Sequence, residues 1–282
     1  MSWRLQVKHK TAYTYAGKVS SSYNEARVTP VSGPNQVVLS SSLEVHPPAH
    51  VYRYVDGWGT AVHAFDLHTP HQELVVIGHS VTETSPPLAL DRRASIGWDA
   101  LNDPDFTDQY SDYLGFTKLA LVDEEMMAIT DDIRGRCTII DAALETVAAA
   151  HDRLKYIPGA TGVRTTAVDA WRQQSGVCQD FVHVSLALLR QLNIPARYVS
   201  GYVHNRPDAA LGEAVRGESH AWIEAWTGEW WAYDPTAFTP VGERHVVVAR
   251  GRDYTDVAPL KGVFTGTAIK DLDVEVELVR RA

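Results

Sequence analysis

Cys178 lies in Ser175-Gly176-Val177-Cys178-Gln179-Asp180-Phe181, a setting that suits nucleophilic chemistry better than passive packing. Residues 179–192 read as a helix, because Phe181, Val182, Leu186, Leu189 and Leu192 recur at helical spacing, and Gly176 reads as a flexible turn before it. A thiol at a helix start faces unpaired backbone N–H groups and the positive end of the helix dipole. Both favour the thiolate, the form that attacks carbonyl carbon. Such a nucleophile needs a base that later protonates the leaving group, and a third group that orients the base. Of twelve histidines, His220 stands out because it opens a strand, Ser219-His220-Ala221-Trp222-Ile223-Glu224-Ala225-Trp226. Thr227-Gly228-Glu229 joins that strand to Trp231-Ala232-Tyr233-Asp234-Pro235 as a hairpin. Asp234 then falls near His220 at the open end, where it is expected to accept Nδ1–H and present Nε2 to the thiol. Pro235 ends the strand and leaves the carboxylate at a rim. A set of this kind performs acyl transfer, with the backbone N–H of Cys178 as a first oxyanion donor.

The elements that must hold these residues fall into two groups. Short alternating stretches at 3–7, 36–45, 50–55, 60–65 and 73–81 read as strands. The separating signals include Ser32-Gly33-Pro34-Asn35 and Asp56-Gly57-Trp58-Gly59, so residues 1–85 are expected to form an antiparallel β-sandwich-like domain. Residues 86–121 dissolve into Pro, Asp and Gly and read as a connector with room for short helices, Asn102-Asp103-Pro104-Asp105 being a turn. Helices follow: one capped by Asp123 or Thr130, one over 138–154 with an apolar stripe, and a short one over 166–173. Beyond Pro195 the period switches to two, with strands at 196–203, 220–226, 230–233, 245–249 and 272–278. Helices followed by strands predict an α+β second domain over 122–282.

Composition narrows the function. A hydrophobic content of 45% and a charged content of 22% over 282 residues are those of a soluble globular chain. A net charge of −9 without a basic run argues against nucleic acid and against an anionic membrane surface as partners. Two cysteines, Cys137 and Cys178, are too few for a disulfide scaffold or a cysteine zinc site. No apolar run approaches ~20 residues, and the first residues alternate like a strand rather than a leader, so a cytoplasmic location is expected.

The segments around Cys178, then Ser219-His220-Ala221-Trp222, then Asp234-Pro235-Thr236, resemble in that order the transglutaminase-like superfamily of papain-type thiol enzymes. Pro195-Ala196-Arg197-Tyr198-Val199-Ser200-Gly201-Tyr202 resembles the strand after the nucleophile helix in bacterial members. Tyr13-Thr14-Tyr15, Asn24-Glu25-Ala26-Arg27 and His71-Gln72-Glu73-Leu74 resemble the N-terminal domain of that bacterial subgroup, and Gly251-Arg252-Asp253-Tyr254-Thr255-Asp256-Val257 its C-terminal signature. The resemblance implies a papain-like transglutaminase core with Cys178 as nucleophile, His220 as base and Asp234 as orienting carboxylate. It also implies a second oxyanion donor from upstream of the nucleophile, for which Tyr156 is the candidate. Hydrolysis of a peptide or isopeptide amide is the expected reaction. Amine transfer to a glutamine peptide, a non-catalytic scaffold, and acetyl transfer from a thioester are the alternatives. No cofactor is expected.

Other residues weigh differently. Asp180 is expected to stabilise the helix start or to bind neighbouring backbone and Arg197, and His183 to be structural. Trp222, Trp226, Trp230 and Trp231 read as core, with Trp222, two residues from His220, carried as a substrate-side candidate. Arg252, Asp253 and Tyr254 are expected to form a hydrogen-bond network that borders the site. His63, His68 and His71 lack a zinc-site spacing, and no metal is expected. Specificity is expected to reside in 205–219 and in the connector.

Overall fold

The computed structural model describes residues 2–87 and 96–282; Met1 and residues 88–95 of the expected connector lie outside the described residues. The chain opens with β1 (Trp3–Ala26), β2 (Gln36–His46), β3 (Val51–Val55), β4 (Ala61–Leu67) and β5 (His71–Thr84). β1 runs far beyond the expected short strand at 3–7. Its buried positions include His9, Thr11, Ser22 and Asn24, and these polar types broke the apolar alternation that a sequence reading depends on. Inside the fold they are paired: His9 Nε2 accepts from the Thr11 hydroxyl at 2.9 Å, and Asn24 donates to Ser22 Oγ at 3.0 Å. The first part of β1 pairs with β5, and its last part pairs with β4. Tyr15, Val19, Val45, Phe65, Leu67, Leu74 and Val76 from β1, β2, β4 and β5 make the core of this sandwich-like unit.

After a short 3-10 turn (Trp98–Asn102), α1 (Pro104–Gln109) and α2 (Ser111–Leu114) occupy the rest of the connector. The expected turn at 102–105 is instead the start of α1: the Asp103 carboxylate caps it by accepting the N–H groups of Asp105 and Phe106. Pro104 sits at the first helical position, where a missing N–H does no harm. α3 (Glu124–Arg136), α4 (Ile139–Arg153) and α5 (Ala167–Gln173) begin at the side-chain caps Asp123, Thr138 and Thr166. Between α4 and α5 lies β6 (Lys155–Tyr156), which pairs in parallel with β7 (Ser175–Gly176). α6 (Cys178–Gln191) follows directly.

Every residue of α6 from Gln179 to Arg190 is buried. Its apolar members Phe181, Val182, Leu186 and Leu189 pack among α3, α4, α5 and the second sheet, each worth about 1.5–3 kcal/mol of burial. Two of the polar ones bond inside the fold: Ser185 donates to the Phe181 carbonyl at 2.8 Å, and Arg190 donates to the carbonyls of Tyr113 and Ala196 at 3.2 and 3.0 Å. A helix held on all sides fixes whatever its first residue carries.

The second sheet contains β8 (Ala196–Val203), β10 (Ser219–Trp226), β11 (Trp230–Asp234), β12 (Thr239–Pro240) and β13 (His245–Gly251), in the order β12-β11-β10-β8-β13. α7 (Tyr254–Val257) follows it, and β9 (Ala214–Gly217), β14 (Leu260–Gly266) and β15 (Ile269–Arg280) complete the described chain. These last three strands do not join the second sheet. β15 pairs with β1 from Leu5↔Arg280 to Tyr15↔Ile269, β14 pairs with the end of β1, and β9 pairs with β15. The strand expected at 272–278, here part of β15, therefore completes the N-terminal sheet, together with β14 and β9, for which no strand is expected. Alternation in sequence announces a strand but not its partner. Leu272 and Val274, expected to share a buried face with Val276 and Leu278, lie past the end of β9 and stay exposed. The two sheets are joined by buried bonds: Gln36 donates to the Val247 carbonyl at 2.7 Å and accepts its N–H at 2.8 Å, and His9 Nδ1 lies 2.9 Å from the Tyr202 hydroxyl. Among the described residues no helix is long and apolar enough to cross a membrane.

Candidate active site

Cys178 is the first residue of α6 and is partly exposed, while Val177 before it is extended. Asp180 secures this junction. Its Oδ2 accepts the Val177 N–H at 2.7 Å and the Thr161 hydroxyl at 2.5 Å. Burial pushes the Asp180 carboxyl up, and these bonds oppose the rise. The expected link from Asp180 to Arg197 is absent. On β8 Arg197 faces Glu224 of β10, ion-pairs with it, and stacks 3.9 Å from the Trp230 ring centroid. Gly176 serves close approach rather than turning: a Cβ there would stand 2.6 Å from the Cβ and Oδ2 of Asp180.

The hairpin β10–β11 brings His220 and Asp234 together as its sequence predicts. Ile223 faces Tyr233, so Asp234 lies one step beyond, on the side of the sheet that also carries Trp222 and His220. His220 Nε2 is 2.7 Å from Asp234 Oδ2. Nitrogen roles are therefore the reverse of those expected. Asp234, the last residue of β11, lies one step past the Ile223–Tyr233 pair, and its carboxylate meets the ring at Nε2. Nδ1, the nitrogen nearer Cβ, is left for the thiol. Burial lowers the His220 pKa, but hydrogen bonds to Asp234 and Cys178 override it and raise the value to about 10. Asp234 is itself buried, which would raise its pKa, yet His220 and His245 hold it well below the usual carboxylate range. Its Oδ1 accepts the N–H groups of Thr236 and Ala237 at 2.9 and 3.2 Å, so the carboxylate is fixed from both ends.

Tyr156 and Trp222 fare differently. The β6–β7 ladder sets Tyr156 opposite Gly176, two residues before the nucleophile, with 47% of its surface exposed. Burial of its inner part, then Cys178 and Glu218, raises its pKa, so the phenol keeps its proton as a donor. Trp222 is fully buried and edge-on to His245, with ring centroids 5.2 Å apart. Substrate cannot reach it. Its indole fills the space above Gly201, where a Cβ would come within 2.6 Å of the ring.

The neighbours settle into structural roles. His183 Nε2 accepts the Tyr254 N–H at 3.3 Å and ties α7 to α6; burial lowers its pKa to about 4. Asp253 caps α7 by accepting from the N–H and hydroxyl of Thr255, and Arg252 pairs with Asp256. Tyr254 itself stands close enough to Cys178 for the two to interact electrostatically. The three N-terminal histidines are dispersed in role: His63 sits opposite Arg53, His68 pairs with Asp66, and His71 Nδ1 donates to the Thr69 carbonyl. Sequence reasoning missed His245, a buried residue that opens β13 with Nε2 3.8 Å from Asp234 Oδ2. Only the tight turn beginning at Gly242 could have drawn attention to it.

Residues 5–83 match the bacterial transglutaminase-like N-terminal region, and residues 127–235 match the transglutaminase-like superfamily. The uncharacterized protein ML0607 of Mycobacterium leprae is 45% identical over 281 residues, covering 99% of this chain and 100% of that one. The uncharacterized protein Rv2569c of Mycobacterium tuberculosis is 29% identical over 305 residues, covering 98% of this chain and 92% of that one. Among solved structures, a Cytophaga hutchinsonii protein provisionally named a cysteine protease aligns with a TM-score of 0.78 at 20% identity, over 99% of this chain and 98% of that one. That likeness is one of fold.

Proposed function

This chain belongs to the transglutaminase-like superfamily and carries its bacterial N-terminal region, and on that footing we propose that it is a thiol enzyme hydrolysing a peptide or isopeptide amide. The observation that carries the reading is the alignment of Asp234 Oδ2, His220 and Cys178 at the start of a buried helix. His220, held protonated by its two partners, leaves Cys178 as the attacking thiolate. The sulfur adds to the amide carbon, and the oxyanion is met by the Cys178 N–H. His220 delivers its proton to the departing nitrogen as the C–N bond breaks. A thioester remains. Water then loses a proton to His220 and attacks the same carbon, the C–S bond breaks, and acid and thiolate are released.

Water is favoured over an amine as acceptor because the site is open. Tyr156 is half exposed and 15% of the His220 side chain is accessible, and amine transfer requires that water be kept out. Cytoplasmic work belongs to the same proposal, and the two unbridged thiols are compatible with it. Incubating the protein with a peptide library, and with a glutamine peptide plus a labelled amine, tests the reading. Cleavage that is lost in Cys178→Ala is the expected result; amine incorporation outrunning hydrolysis would overturn it.

Tyr156 is the second oxyanion donor in this reading. Tyr156→Phe keeps the ring beside Gly176 and removes only the hydroxyl. Hydrolysis should slow by about ten- to a hundredfold in kcat with KM little changed. A change in KM alone would reduce Tyr156 to a wall of the cleft.

A further inference from the structure

His245 is held in an unusual way. Its Nδ1 accepts the Gly242 N–H at 3.2 Å, and its backbone N–H returns to the Gly242 carbonyl at 2.9 Å. With Nδ1 taken as an acceptor, the neutral ring must carry its proton on Nε2. That N–H is buried, lacks a partner at bonding distance, and lies 3.8 Å from Asp234 Oδ2. The same oxygen grips His220 at 2.7 Å. Trp222 meets the ring edge-on and closes one side of it.

We infer that His245 is a positioning residue of the same reaction: its Nε2–H is a second donor aimed at the Asp234 oxygen that holds His220. A carboxylate oxygen shared between two donors binds each less tightly. His245 thereby weakens the hold of Asp234 on the His220 Nε2–H, which makes the imidazolium more acidic and eases release of its Nδ1 proton to the leaving nitrogen. When His220 is neutral, in the thioester stage, His245 keeps a second N–H directed at the same carboxylate. The other titratable groups bearing on this line are Cys178, on His220, and Arg244, on His245. The inference rests on the thiol-enzyme reading, but its test needs no amide substrate.

Iodoacetate is drawn to Cys178 by the His220 imidazolium, so its rate of carboxymethylation falls as His220 loses its proton. His245→Asn can still accept from Gly242 but cannot reach Asp234, whereas His245→Gln places an amide N–H where Nε2 was. In H245N the alkaline limb of the profile should move up by roughly half a unit to one unit; in H245Q it should stay with the wild type. In an Asp234→Asn background H245N should move nothing further. An unmoved limb in H245N, an equal shift in H245Q, or the same shift without the Asp234 carboxylate would overturn the inference. A wild-type profile with no alkaline limb would overturn it together with the triad. Cleavage of amides with an unmoved limb would overturn the inference alone. Nitrogen NMR of the wild-type protein provides a readout that no folding failure can remove: His245 should carry its proton on Nε2 and not on Nδ1, and the opposite tautomer would overturn the assignment.

Discussion

In His220→Ala, hydrolysis through Cys178 should fall about 10⁴-fold or more. In the proposed reaction the ring is both the base for the thiol and the acid that releases the amine, so one substitution removes two steps. The protein should still fold, because His220 opens β10 at a partly exposed rim and Asp234 keeps the N–H groups of Thr236 and Ala237. A measurement independent of substrate is available in the two cysteines. Burial pushes the Cys137 thiol up, although Arg136 opposes the rise, so iodoacetamide near pH 6 should label Cys137 slowly. Cys178, beside a protonated imidazole, should be labelled at least a hundredfold faster, and H220A should erase that preference. Equal, slow labelling of both thiols in the wild-type protein would favour a scaffold that has kept the residues without the chemistry.

Asp234→Asn should have the next largest effect, about 10²- to 10⁴-fold in kcat, with a change in pH dependence as its signature. The amide keeps an acceptor but loses the charge that raises His220. The alkaline limb, expected near pH 10 in the wild type from the raised His220 pKa, should fall towards the ordinary imidazole range of about 6.5. Stability should follow the same pair. The His220 contribution is fully present below its unfolded pKa, about 6.5, and is lost as pH rises through about 10. Asp234, held below the usual range, contributes above about 3.9 and loses that contribution as pH falls. The difference between wild type and D234N in urea unfolding should therefore peak between about pH 4 and 6.5. A difference that is flat across that span would mean that the pair is not ionised as described.

Much of the site could be read from sequence because it depends on local pattern. The apolar period of α6, the turn at Gly228 and the stop at Pro235 each mark an element boundary, and together they set Cys178, His220 and Asp234 at element ends. What could not be read depends on partners distant in sequence. β1 hid behind its buried polar residues His9 and Thr11, which are satisfied only in the folded sheet. β15 was legible as a strand, but its pairing with β1 was not. The orientation of the His220 ring follows from where Asp234 sits in three dimensions, and alternation alone does not give that. Trp222 looked available to substrate because its neighbour is; the packing of Gly201 and His245 against it closes it off.

The pairing of β1 with β14 and β15 sets an order of events during synthesis. Leu5 emerges first and must wait for Arg280, its partner across the sheet. The thiol half has nearby contacts, such as α4 with α6 and β10 with β11, and can assemble while one edge of β1 is still open. Closing so long a loop is slow. For that interval β1, matched to β5 on one side, exposes its other edge, a template for pairing with another copy. The nascent protein is therefore most in need of a chaperone along β1 until β14 and β15 have been made.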